Sequence, residues 1–148
     1  MTARLRIAVF GLGHVGLTTA AGLASMGHSV IGTDVREDVV AAVKEGHSPI
    51  SDVELEELVR RSTCDRALAA TGDVAACGGA DVYIVCVDAP TRPDGSQDLD
   101  ALQGALRQVA SLVPTSTGVP TVVTRTTMLP GTSRAIAIPV LELSLIHI

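Results

Sequence analysis

The sequence predicts an α/β chain built on a doubly wound parallel sheet. Three observations predict it. Short apolar runs of strand length alternate with segments whose apolar residues recur at helical spacing. The first such run, Leu5 to Phe10, leads through a turn of three glycines into an Ala-rich segment ending at Met26. The core is aliphatic: the chain is 47% hydrophobic, yet it holds one Phe, one Tyr and no Trp. Ala, Val, Leu and Ile in near-continuous runs suit strands buried on both faces.

The glycine turn comes first. Gly11, Gly13 and Gly16 stand in G-x-G-x-x-G register between a strand and a helix, and each has a steric role. Gly11 permits the sharp turn off the strand. Gly13 has no Cβ, so a pyrophosphate can approach the backbone. Gly16 lets the helix pack closely on the strand. The free N–H groups of the first helical turn, at His14 and Val15, then face the phosphates with the helix dipole behind them. A second run, Ser29 to Thr33, ends in Asp34. That is close to the ~20 residues at which a dinucleotide site places the acid that binds the adenosine ribose. Such a carboxylate accepts bonds from the ribose hydroxyls and repels a 2′-phosphate, which favours NAD as cofactor. The alternative is a structural turn with Asp34 capping the next helix. Arg36 either lies over the adenine or is merely solvated.

Further along, Val35, Val39, Val40 and Val43 mark a helix ending near Gly46. Asp52 N-caps a second helix with Leu55, Leu58 and Val59 on one face. Leu68 to Thr71 reads as a short strand, and Asp73 caps a brief helix ending at Gly78-Gly79. Ala80 to Val87 is the strongest later strand. It ends in Asp88-Ala89-Pro90-Thr91, at the sheet edge where open α/β sheets bind ligands. Arg92 to Gln97 is a turn, and Asp98 starts a helix to Val113 with Leu102, Leu106, Val109 and Leu112 on its apolar face. Val119 to Thr126 is another strand, followed by a last helix to Glu142. Five strands result, where the dinucleotide fold has six in the order 3-2-1-4-5-6.

Composition narrows the function. The net charge is −5 and no basic run occurs, which argues against nucleic acid. Cys64, Cys77 and Cys86 form no C-x-x-C pair, so neither a disulfide framework nor a zinc site is expected, and Cys86 packs as a small hydrophobe. His14, His28, His47 and His147 lack metal-ligand spacing, and none has an obvious carboxylate partner nearby in sequence. Arg4 and Arg6 precede apolar residues, but glycines and His14 interrupt any signal-peptide core. No stretch approaches the ~18 apolar residues of a membrane span. A cytoplasmic location is expected.

Several motifs then converge on one family. Ile7 to Gly16, Gly46-His47-Ser48-Pro49-Ile50, Val85 to Thr91, Asp94-Gly95-Ser96-Gln97-Asp98-Leu99 and Arg125 to Thr132 line up almost end to end. They resemble the opening Gly turn, G-x-S-P-I, V-G-T-P-x, D-G-x-x-D-L and R-S-T-V-x-P-G-T elements of the UDP-glucose/GDP-mannose dehydrogenase family, in its N-terminal NAD-binding domain. The departures are His14 where the family has Tyr, and Asp88-Ala89 where it has Gly-Thr. Val53-Glu54 replaces the Pro-Gly before the second amphipathic helix.

The resemblance implies a Rossmann-type domain over residues 1–142, lacking its sixth strand. It implies cofactor contacts at Gly11, Gly13, His14, Val15, Gly16, Asp34, Arg36, Pro90 and Thr127. The complete enzyme of this family oxidises a sugar C6 alcohol to a carboxylate in two NAD-dependent steps, as a homo-oligomer, for polysaccharide precursors. Its catalytic Cys lies in a later G-G-x-C-x-x-K-D motif absent from this sequence. The only active-site position implied here is Thr127, against the alternative that it caps the following helix. Arg125 to Thr132 with Ile138 to Glu142 look more like the GDP-mannose branch than the UDP-glucose branch. Residues 143–148 read as a translated sequencing-library adapter, not as native chain. Two other functions compete: a stand-alone NAD-binding module without chemistry, and another NAD-dependent dehydrogenase of related fold. A downstream frame bearing G-G-x-C-x-x-K-D would identify the enzyme.

Overall fold

The structure is a computed structural model that describes residues 3–145, with side chains through residue 143. Its elements run β1 (Arg6–Phe10), α1 (His14–Ser25), β2 (Ser29–Thr33), α2 (Glu37–Lys44), α3 (Val53–Cys64) and β3 (Leu68–Thr71). A 3₁₀ turn (Val74–Cys77) leads to β4 (Val82–Val85), then α4 (Asp100–Leu112), a second 3₁₀ turn (Val113–Thr115) and β5 (Thr121–Thr124). A π turn (Ser133–Ala137) opens α5 (Ile138–Leu145). The strands form one parallel sheet in the order β3-β2-β1-β4-β5. This is the doubly wound α/β arrangement, with five strands.

Alternation along β1 creates two cores. Ile7 and Val9 pack on one face with Leu17, Ala20 and Ala24 of α1 and with Leu55 and Val59 of α3. Ala8 and Phe10 pack on the other with Tyr83, Val85 and Leu102, Leu106 and Val109 of α4. Every residue of β1 after Arg6 is buried, as a strand covered on both faces must be. The Phe10 and Tyr83 rings lie 6.5 Å apart and tilted. Tyr83 is fully buried, and its hydroxyl reaches Leu112 O (3.4 Å) and Ser116 Oγ (3.3 Å).

The local signals act as the residue types require. Asp52 caps α3 by accepting from Leu55 N–H at 2.8 Å, and Asp73 caps its 3₁₀ turn by accepting from Ala75 N–H at 3.0 Å. Several boundaries differ from expectation. Val35 precedes α2 and is 94% exposed, so it belongs to no apolar face. β4 covers Val82–Val85 rather than residues 80–87, because Cys86 turns beneath the glycine loop. Asp98 forms a local turn, its carboxylate accepting from Asp100 N–H (3.0 Å), so α4 begins two residues late. β5 begins at Thr121 because Val119 and Pro120 have no strand partner, Val119 being fully exposed. The segment 143–148 falls largely outside the residues described with side chains.

Candidate dinucleotide-binding site

The chain proceeds from β1 to β2 and β3 on one side and places β4 and β5 on the other. The order reverses between β1 and β4, which makes this the topological switch point, at whose strand carboxyl ends open α/β sheets bind ligands. The glycine turn lies at this point. Gly11 has φ +92°, and a Cβ there would stand 2.8 Å from Cys86 O. At Gly16 a Cβ would fall 1.7 Å from Gly11 O and 3.2 Å from Cys86 Cβ. At Gly13 a Cβ would meet nothing within 4 Å. Two glycines are thus demanded by the protein's own packing, and the third borders open space on the outer side of the turn.

The backbone of α1 starts its ladder at Leu17 N–H, which donates to Gly13 O at 2.9 Å. The amides just before it, from His14 to Gly16, have no carbonyl within their own helix. No side chain caps them, and the first turn carries no acid. His14 and Val15 are both exposed there. A helix N-terminus of this kind offers positive potential and unpaired donors to an anion. Cys86 lies under the turn, 8% exposed, with its thiol pushed up by burial, partly opposed by the Arg125 guanidinium. Burial likewise pushes Cys77 up to about 11. Neither thiol is a poised nucleophile, and Cys64 is exposed at the end of α3.

Asp34 stands at the tip of β2. One carboxylate oxygen accepts from Leu12 N–H at 2.7 Å and the other from Arg36 N–H at 2.9 Å. The side chain that the spacing marked therefore also braces the glycine turn from 22 residues away. Each oxygen keeps a further lone pair. Arg36 does not reach across the cleft. Its guanidinium pairs with Asp38, whose carboxyl it holds below the usual range, and both side chains are 67% exposed. Glu37 and Asp38 add negative charge beside Asp34.

The other side of the cleft is made of loops. Asp88, Ala89 and Pro90 follow β4, and Pro90 O accepts from Asp98 N–H at 2.7 Å. Thr126 Oγ1 donates to Val87 O at 2.9 Å. Thr127 is exposed, and its hydroxyl makes no hydrogen bond among the described residues. It caps no helix, because the next turn opens at Ser133. Gln97 was not singled out by sequence. Its carboxamide bonds Ala89 O, Thr127 O and Leu129 N–H together. His47, read as having no carboxylate partner nearby, meets Glu56 with Nδ1 and Oε1 2.9 Å apart. The partner lies nine positions on, in the first turn of α3, where no spacing rule points. Among the described residues no cluster of three His, Cys, Asp or Glu could hold a metal. No helix among them is long and apolar enough to cross a membrane.

Residues 5–145 match the model of the NAD-binding domain of the UDP-glucose/GDP-mannose dehydrogenase family. The chain belongs to this family. The GDP-mannose 6-dehydrogenase of Pseudomonas putida is 36% identical over 139 residues, covering 93% of this chain and 32% of that protein. The UDP-glucose 6-dehydrogenase of Haloferax volcanii is 34% identical over 138 residues, with the same coverage of 93% and 32%. A crystal structure of a ternary complex of GDP-mannose dehydrogenase from Pseudomonas aeruginosa superimposes with a TM-score of 0.90 at 34% identity, over 95% of this chain and 32% of that one. The chain thus spans about a third of the length of the relatives it matches. The similarity leans to the GDP-mannose 6-dehydrogenases.

Proposed function

We propose that this domain binds NAD across the β1/β4 crevice and serves as the cofactor-binding part of a nucleotide-sugar 6-dehydrogenase. The observation that carries the reading is the glycine turn. Gly11 and Gly16 are forced by backbone crowding, whereas Gly13 faces space that a pyrophosphate can fill. In this reading the amides at His14, Val15 and Gly16 hold the phosphates, and Asp34 takes the adenosine ribose with its remaining lone pairs. The acids at 34, 37 and 38 disfavour a 2′-phosphate, so NAD is preferred over NADP. Arg36 stays with Asp38 at the rim. Pro90 and Thr127 border the nicotinamide half.

When bound, NAD supplies a hydride acceptor. The chain's own residues bind and orient it, and none of them is assigned to placing the sugar. Of the two branches, the GDP-mannose substrate is favoured by the Arg125 to Thr132 segment and by the relatives above. The protein is expected to act as a cytoplasmic homo-oligomer. The chain alone is expected not to turn over, because hydride transfer needs the sugar carbon held about 3–3.5 Å from the acceptor. The second oxidation also needs an activated thiolate, and burial pushes the Cys77 and Cys86 thiols up, the opposite of activation.

Titration calorimetry of the chain with NAD and NADP tests the reading. Measurable NAD binding with weaker NADP binding supports it, and absence of NAD binding or tighter NADP binding overturns it. An assay following NADH with excess NAD and either GDP-mannose or UDP-glucose tests the lack of turnover. Sustained activity would show that the chain carries its own catalytic machinery.

A further inference from the structure

We infer that Gln97 is a positioning residue which fixes the nicotinamide end of the cleft. The inference rests on the cofactor reading above and adds a residue to it. Gln97 ends a turn held firmly by its own backbone. Residues 91 and 97 pair as an antiparallel bridge, and Arg92 N–H donates to Ser96 O at 2.7 Å. Gly95, at φ +85°, donates its N–H to Arg92 O at 2.9 Å. The side chain therefore projects from a defined base.

From there one carboxamide joins three segments. Gln97 Oε1 accepts from Leu129 N–H at 2.9 Å. Gln97 Nε2 donates to Thr127 O at 3.1 Å and to Ala89 O at 3.4 Å. The orientation of the amide is fixed by its partners. One is an N–H that needs an acceptor, and two are carbonyls that need donors. Flipping the group would oppose donor to donor and acceptor to acceptor. Thr127 and Ala89 follow different strands, so Gln97 ties them to each other at the cleft's edge, beside the bond from Thr126 Oγ1 to Val87 O.

Placement decides what that tie controls. Asp34 lies at the end of β2, so the adenosine half of a dinucleotide falls on that side of the switch point. The other half then falls on the β4 and β5 side, where Ala89, Pro90 and Thr127 lie. A residue that fixes these loops acts on the nicotinamide half and leaves the adenosine half alone.

The test uses the chain itself, in wild-type form and as Gln97→Ala and Gln97→Glu. Gln97→Glu keeps an oxygen for Leu129 and loses both amide hydrogens. NAD and ADP are titrated into each, and hydrogen exchange of the Leu129 amide is followed by NMR. The expected result is a fall of about fivefold in the ratio of NAD affinity to ADP affinity in both variants, the scale of one lost hydrogen bond. Leu129 exchange should quicken at least fivefold in Gln97→Ala. An unchanged ratio, or NAD and ADP weakened in parallel, overturns the inference, since a purely structural role moves both ligands or neither. If Gln97→Ala does not fold, Gln97→Glu decides by the same ratio. If the wild-type chain binds neither nucleotide, the cofactor reading fails. The clamp then stands or falls on Leu129 exchange alone, unchanged exchange in Gln97→Ala overturning it.

Discussion

The two ends of the cleft are built from different materials. At the β1–β2 end the fit is steric. Gly11 and Gly16 nest against Cys86 and against each other with no room for a Cβ. Leu12 is fully buried, and Asp34 ties its amide to the tip of β2. At the β4–β5 end the fit is made of hydrogen bonds between exposed loops, with Gln97 and Thr126 as the ties. β5 alternates between exposed and half-buried residues, and Val123 is 39% exposed. The difference teaches where each kind of error is tolerated. Close-packed backbone has no soft response to added atoms, whereas a loop held by single hydrogen bonds moves at modest cost.

The largest expected effect comes from adding one methyl group at the steric end. Gly16→Ala puts a Cβ on Gly11 O, where the overlap is with backbone and cannot be relieved by a rotamer. Either α1 leaves the sheet or the turn opens, at a cost of at least about 3 kcal/mol. Since small domains have only about 5–15 kcal/mol in hand, the variant should melt far below wild type or fail to fold. A thermal melt followed by circular dichroism checks this. A wild-type-like melt would show that the turn is looser than its geometry.

Next is Gly13→Val, which separates binding from folding. Its side chain enters open space, so the fold should survive with a near-native spectrum. The same atoms occupy the room proposed for the pyrophosphate, so NAD affinity should fall at least about a hundredfold, the loss of close backbone approach and donors together. Calorimetry beside circular dichroism reads both. Retained affinity with a retained fold would place the dinucleotide elsewhere.

This contrast also explains how far the sequence could be read. The steric end was legible, because glycine register and an acid at fixed spacing are local signals with one physical meaning. So were the caps at Asp52 and Asp73, and the strand Leu68–Thr71, bounded by turn residues. The loop end was not. Gln97 meets partners 8, 30 and 32 positions away, a pattern with no period and no motif. Glu56 meets His47 because α3 folds back over the Gly46 loop, which only tertiary structure reveals. The π turn at Ser133–Ala137 follows a Pro-Gly pair that signals a break but not its geometry. Asp34 was legible for its charge but not for its second task, the bond to Leu12 N–H.

That second task sets an intermediate effect. Asp34→Asn can still accept from Leu12 with its one oxygen, but its NH₂ then faces Arg36 N–H in place of an acceptor. One bond is lost, worth about 1 kcal/mol of stability. The larger change is in ligand choice. With the charge gone, a 2′-phosphate meets less repulsion, while the ribose loses a charged acceptor. The ratio of NAD to NADP affinity should fall about tenfold, and Glu37 and Asp38 should keep it from inverting. Paired titrations check it, and an unchanged ratio would mean that Asp34 serves the turn alone.

The smallest effect on stability belongs to the edge strand. β5 pairs with β4 through Val82↔Thr121 to Val85↔Thr124, and no further strand among the described residues covers its other side. Its backbone groups on that side are available to another chain, and its sequence, TVVT, is β-branched throughout. Strands of this kind invite edge-to-edge association, which proteins suppress with a charge or a Pro. The chain should therefore self-associate at tens of micromolar, roughly the range in which exposed edges aggregate. Val123→Lys puts a charge on that edge at a residue already 39% exposed. Its melting temperature should stay near wild type, because surface changes usually alter stability by about 0.5 kcal/mol or less, while sedimentation should shift toward monomer. A wild-type chain that sediments as a clean monomer at the same concentration would show that the open edge does not drive association. A Val123→Lys variant that melts well below wild type would show that Val123 is packed more firmly than its exposure implies, and the loop end of the cleft would then be stiffer than its hydrogen bonds alone make it.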